Sequence, residues 1–175
     1  MEEVVLVDSK NNVVGYMEKM EAHQKGLLHR AFSVFVFNSN NELLLQQRAF
    51  SKYHSGGLWT NTCCSHPRKN ETFTDAASRR LNEEMGMSCF LDKAFSFIYK
   101  SHLDKGLIEH ELDWVFIGKS DDKPVINTNE VANFKYISLA DLNKDIIINP
   151  NSYTEWLKMC LDNLNKHLLK VDYFG

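Results

Sequence analysis

Residues 60–67, Thr-Asn-Thr-Cys-Cys-Ser-His-Pro, place two thiols and an imidazole within four positions, at Cys63, Cys64 and His66. A thiol beside an imidazole serves as a nucleophile, a proton-transfer base, a metal ligand or packed core. A structural zinc site would use Cys63, Cys64 and His66 with a fourth ligand. Adjacent cysteines are awkward chelators, and no second Cys/His pair stands at finger-like spacing, which argues against it. Glu109 and Glu111 alternate in Glu-His-Glu-Leu-Asp, so on a strand both carboxylates lie on one face. Such alternation is ordinarily a solvent face; at a cleft it binds a metal or keeps one carboxyl protonated. His23 and His29 flank what reads as a loop in residues 21–32. With His66, Glu109 and Glu111 they make a set of five nitrogen and oxygen donors, suited to octahedral Mn²⁺ or Mg²⁺ and compatible with Zn²⁺. Lys19, Arg48, Lys52 and Arg80 come from segments bordering the same cleft. Each alone is a surface charge, and together they suit a diphosphate.

These residues need a scaffold. Residues 2–19 read as two short strands around the polar turn 9–12, and 31–38 as a strand with 43–48 as its hairpin partner. A loop with Gly56 and Gly57 follows. Residues 71–87 have helical spacing, with Thr72 and Asp75 at the start and Gly86 as a stop. Further strands are expected at 94–101, 111–119 and 132–139, a short helix from Ser138, and a longer one from Ser152 to about Lys170. The apolar stripe of that last helix includes Trp156, Met159, Cys160 and Leu164. Strands, an internal helix, more strands and terminal helices predict an α/β (α+β) architecture, a mixed sheet sandwiched between helices in a single domain over 1–175.

The chain has 175 residues, 43% hydrophobic and 25% charged, ordinary for a globular protein. A net charge of -3 gives no case for nucleic-acid binding. No apolar stretch is long enough for a bilayer span, and the start Met1-Glu2-Glu3 lacks a signal peptide's basic n-region. The expectation is a cytoplasmic protein with reduced thiols, without a membrane or nucleic-acid partner, and a monomer or weak homodimer.

The acidic run in 79–87 has a plain reading as a solvated charged face, although negative charge is disfavoured at a helix C-terminus. Its spacing says more. Ser65, Glu71, Arg79, Leu81, Glu83, Glu84, Gly86 and Met87 follow a frame that resembles the Nudix box, Gly-x5-Glu-x7-Arg-Glu-apolar-x-Glu-Glu-x-Gly-apolar. Two positions depart from it. Ser65 stands for Gly, and Arg80 stands for a Glu that in the family helps to bind the metals of diphosphate hydrolysis. A cation at that position suits an intact diphosphate instead.

Residues 27–38, 43–48, 59–67, 79–86 and 109–113, taken together, resemble the type I isopentenyl-diphosphate isomerases, enzymes of Nudix fold. The resemblance implies conversion of isopentenyl to dimethylallyl diphosphate. By position it implies Cys64, Glu111 and Tyr99 as catalytic groups, with Glu111 and Tyr99 delivering a proton and Cys64 on the opposite face. It implies His23, His29, His66, Glu109 and Glu111 as ligands of one divalent ion, and Glu84 near a second Mg²⁺ carried by the diphosphate. Lys19, Arg48, Lys52 and Arg80 fall at diphosphate-binding positions and Trp156 beside the reacting carbons, where a ring face favours a cation. Cys63, Cys89 and Cys160 read as packing residues.

Overall fold

The computed structural model describes residues 2–171 and Tyr173; the remaining ends of the expected domain, Met1, Asp172, Phe174 and Gly175, lie outside the described residues. The strands are β1 (Glu3–Val7), β2 (Val13–Glu18), β3 (His29–Phe37), β4 (Glu42–Arg48), β5 (Trp59–Thr60), β6 (Cys63–Ser65), β7 (Leu91–His102), β8 (Ile108–Lys119) and β9 (Val131–Ser138). The helices are α1 (Lys19–Lys25), α2 (Phe73–Met85), α3 (Leu139–Ile148) and α4 (Glu155–Lys170).

β3 is the hub. It runs parallel to β8 from His29↔Glu111 to Phe37↔Lys119. Its other edge is shared in turn by β1, β6 and β4, all antiparallel. Because both faces are covered, the sequence of β3 is almost continuously apolar. Phe32, Val34 and Val36 point into a core with Leu81 and Met85 of α2, while Phe35 and Phe37 point into a second core with Leu157, Leu161 and Leu164 of α4. The sheet therefore lies between α2 on one side and α4 on the other, as the sequence predicts.

The expected hairpin of β3 and β4 pairs at one position, Phe37↔Leu43, and β4 then pairs with β9 over most of its length. The strands part because residues 61–65 wedge between them. Buried Thr62 bridges the gap, its hydroxyl accepting from Val36 N at 2.9 Å and donating to Leu44 O at 2.7 Å. Buried Asn61 donates to Val34 O at 3.2 Å and Cys63 O at 2.7 Å. Polar side chains thus replace missing ladder bonds, which is why Asn61 and Thr62 are tolerated with no exposed surface.

Helix α2 starts at Thr72, whose side chain accepts from Asp75 N, and ends at Gly86 in the left-handed region with φ 62°. Helix α3 is capped by Ser138 as expected. Helix α4 begins three residues later than expected, after Thr154. Ser152 sits in a single 3₁₀ turn, and the Thr154 hydroxyl donates to Thr60 Oγ1 at 3.0 Å instead of capping. Within α4, Trp156, Cys160 and Leu164 are buried, but Met159 is 36% exposed and lies off the apolar stripe. The larger correction concerns residues 19–25: they form α1, so His23 is on a helix rather than beside a loop.

Candidate metal and proton-transfer site

Strand register assembles the site. The β3–β8 pairing sets His29 opposite Glu111, and the β7–β8 pairing sets Tyr99 opposite Glu111. Antiparallel β6 brings Cys64 opposite Ser33, with His66 just beyond its end. Helix α1 adds His23. Its cap at Gly26 takes φ 60°, and a Cβ there would come within 3.1 Å of Ile108, so the turn into β3 depends on glycine.

The histidines are packed away from water and aimed inward. His23 and His29 have no exposed surface and His66 retains 8%. His23 Nδ1 lies 2.7 Å from Lys19 O, and His29 Nδ1 lies 2.8 Å from Leu27 O. A backbone carbonyl accepts only from N–H, so both rings carry their proton on Nδ1 and present the Nε2 lone pair. Those two Nε2 atoms are buried without a hydrogen-bond partner. Burial holds His23 down at about 4 and also lowers His66, which keeps them as neutral imidazoles. Donor atoms of His23, His29, His66 and Glu111 all lie within 4.8 Å of one another. Orphaned, convergent nitrogens beside a carboxylate fit a divalent cation.

The fifth expected donor, Glu109, groups differently. Its close donors are His23 and a residue the sequence reading passed over, His54. His54 is 3% exposed, and burial holds it down at about 3. The cue for it was a histidine six residues after Arg48, in the loop that leads to residues 60–67.

The Tyr99 hydroxyl spans the two carboxyls, 2.6 Å from Glu111 Oε2 and 3.1 Å from Glu109 Oε2. Burial and the neighbouring Glu111 charge push Glu109 well above the usual carboxylate range. Burial would raise Glu111 as well, but contacts with His29 and His66 outweigh it and hold Glu111 low. His66 Nε2 lies 3.0 Å from Glu111 Oε1. In the same cavity, burial pushes the Cys64 thiol up, with Arg48 pulling the other way. Cys63 faces the α2 core with no exposed surface, and Cys160 is buried under α4. Cys89 is partly buried.

A cavity of about 110 Å³ connects these groups; Cys64, Tyr99, Glu111 and Trp156 all line it. The four cations and Glu84 line it too. Lys19 pairs with Glu2 at 2.5 Å, and Lys52 pairs with Glu130. Arg80 bonds Glu84, Glu83 at 2.9 Å and Glu130 at 3.1 Å. Arg48 lies 5.1 Å from the centre of the Trp156 ring and donates to His54 O at 3.2 Å. Arg79 instead clamps Glu71 at 2.6 and 2.9 Å, which ties the start of the box to its helix. All residues expected at the site converge on this cavity or the donor cluster behind it. Glu2, Tyr53 and Glu130 join them without having been read from the sequence. They carry no spacing signal of their own.

The NUDIX domain profile matches residues 27–157. The chain is 55% identical over 163 residues to the isopentenyl-diphosphate Delta-isomerase 2 of Aromatoleum aromaticum, covering 93% of this chain and 86% of that one. It is 52% identical to the isopentenyl-diphosphate Delta-isomerase of Pectobacterium atrosepticum, covering 90% and 88%. Among solved structures, a protein of Deinococcus radiodurans superposes with a TM-score of 0.77 at 18% identity, covering 93% of this chain and 98% of that one. That likeness speaks to fold alone. Register-built site, Nudix fold and relatives agree: the chain belongs to the isopentenyl-diphosphate Delta-isomerase family of NUDIX-domain proteins.

Proposed function

We propose that the protein interconverts isopentenyl diphosphate and dimethylallyl diphosphate by adding a proton at one end of an allylic unit and removing one at the other. The carrying observation is that a thiol, Cys64, and a carboxyl–phenol couple, Glu111 with Tyr99, line one small cavity and are themselves largely buried. Protonating an unactivated alkene creates a tertiary carbocation. Such a cation survives where a proton donor and acceptor face it and water is excluded. Tyr99 links two carboxyls with unlike proton affinities, a suitable proton source or sink. Cys64 exchanges a proton on the other side. The roles reverse with the direction of reaction. Trp156 offers its ring to the cation.

Lys19, Arg48, Lys52 and Arg80 hold the diphosphate. Arg80 replaces a metal-binding carboxylate of the box, which supports binding an intact diphosphate rather than cleaving it. His23, His29, His66, Glu109 and Glu111 would hold one Mn²⁺ or Mg²⁺, with Zn²⁺ as a further fit, and Glu84 would serve a Mg²⁺ brought by the diphosphate. An ion held by the histidine cluster would supply fixed positive charge beside Glu111, orienting that carboxylate and tuning its proton affinity. Among the described residues, no helix is long and apolar enough to cross a membrane.

The test is incubation with isopentenyl diphosphate and Mg²⁺ in deuterated water. Dimethylallyl diphosphate carrying deuterium is expected, with sharp losses in Cys64→Ala and Glu111→Gln. No turnover by the metal-loaded protein overturns the reading, and release of phosphate in place of isomerisation would make it a hydrolase.

A further inference from the structure

The histidine cluster contains more donors than the five expected. We infer that His54 is a ligand of the metal centre, binding through Nε2 beside His23 and Glu109. The inference rests on the reading of the cluster as a metal site.

Three observations carry it. First, donor atoms of His23, His54 and Glu109 lie within 4.8 Å of one another, and His23 also belongs to the set with His29, His66 and Glu111. His23 has a single free nitrogen, its buried and unpartnered Nε2, so an ion bound there is within reach of both sets. Second, His54 Nε2 is 3.8 Å from Glu109 Oε1. Two donors about 2.1 Å from one ion are about 3.0 Å apart at a right angle and about 4.2 Å apart when opposite. The observed spacing falls inside that span, and it is too long for a hydrogen bond. Third, the ring is held in place. It meets Tyr53 and Trp156 edge-on, at 4.3 and 5.7 Å between centres, and its Nδ1 lies 3.3 Å from Ser55 Oγ. These contacts keep Nδ1 outward and Nε2 toward Glu109.

The consequence is a centre with four imidazoles and two carboxylates. Imidazole-rich sets rank Co²⁺, Ni²⁺ and Zn²⁺ well above Mg²⁺. His54 therefore shifts the selectivity of this chain toward those ions. It also couples the centre to the cavity wall, because Trp156 and the backbone of His54 both contact Arg48.

Cobalt spectroscopy on the wild-type protein tests this without a mutation. In the Co²⁺-loaded protein each bound imidazole gives one strongly shifted, exchangeable ring N–H resonance. Four such resonances are expected, and three would overturn the role of His54 while leaving the metal centre standing. No Co²⁺ binding at all would overturn both. In His54→Gln the fourth resonance should vanish. Losing even a supporting contact to a ligand costs about 10–100-fold in metal affinity, so chelator competition should show at least a roughly tenfold loss for Co²⁺ and Zn²⁺. Unchanged affinity in a variant whose apo form melts like the wild type would also refute the inference.

Discussion

Tyr99→Phe removes one oxygen from the centre of the proposed proton-transfer site and leaves its shape intact. The hydroxyl is buried, 2.6 Å from Glu111 and 3.1 Å from Glu109. A hydrogen bond to a charged group is worth about 1.5–3 kcal/mol net. Glu111 keeps His66 at 3.0 Å after the change, whereas among the described residues Tyr99 alone hydrogen-bonds the Glu109 carboxyl. The expected loss is one strong bond, about 1.5–3 kcal/mol. For a domain of this size each kcal/mol moves Tm by about 2–4 °C, so a fall of roughly 3–12 °C is expected in calorimetry at fixed metal concentration. Activity should respond more strongly. General acid–base groups contribute about 10²–10⁴-fold, and kcat for isopentenyl diphosphate should drop within that range while KM changes little. A lower Tm with kcat within about threefold of wild type would mean that the hydroxyl braces the carboxyls without relaying protons. That result would refute the assignment of Tyr99 to proton transfer.

Other perturbations separate the remaining roles. Cys64→Ala should lower kcat by about 10²-fold or more with little change in Tm, whereas buried Cys63→Ala should cost about 1 kcal/mol of stability and keep activity, both read by melting and by product formation. Glu71 is held below its ordinary 4.5 by hydrogen bonds from Arg79. A depressed carboxyl stabilises the fold above its unfolded pKa and loses that contribution as pH falls through the lower folded value. The Tm difference between wild type and Glu71→Gln should accordingly be full near neutrality and shrink below pH 4.5. Gly86→Ala forces a left-handed residue, at about 1–2 kcal/mol, and sets a Cβ 2.5 Å from Val125 O. Urea denaturation should show a loss above about 2 kcal/mol.

What the sequence could and could not tell follows from the range of the interactions. The main strands, α2, α3 and α4 were legible because alternation, helical spacing and caps at Thr72 and Ser138 are local signals. Helix α1 was not, since seven residues give two turns and no clear amphipathic pattern. Its cap comes from Glu18, an unusual capping residue, and its stop at Gly26 packs against Ile108 of β8. The division of β3's edge among β1, β6 and β4 was hidden too, because Thr62 and Asn61 work through backbone groups far away in sequence. At the site, the chemical residues stood out by type and motif. His54, Glu2 and Glu130 did not, because their importance is purely spatial.

The cationic side of the cavity illustrates the same point and sharpens the binding problem. Read in sequence, Lys19, Arg48, Lys52 and Arg80 look like four open positive charges. In the structure Lys19 is engaged by Glu2, Lys52 by Glu130, and Arg80 by Glu83, Glu84 and Glu130. Arg48 differs: among the described residues no carboxylate forms an ion pair with it, and its Nε is buried without a hydrogen-bond partner. These carboxylates hold the long side chains in place and keep the cavity near neutral before a ligand arrives. In the proposed binding mode a diphosphate must therefore displace or share acidic partners at three of the four cations, at a cost set by the carboxylates left behind. Arg48 is then the cation at which an entering phosphate oxygen would compete with a backbone carbonyl, that of His54, and with no carboxylate among the described residues. A cation travelling with the diphosphate would offset the remaining charge of Glu84 and Glu130, a second ground, beside the box, for the proposed Mg²⁺ carried in with the substrate.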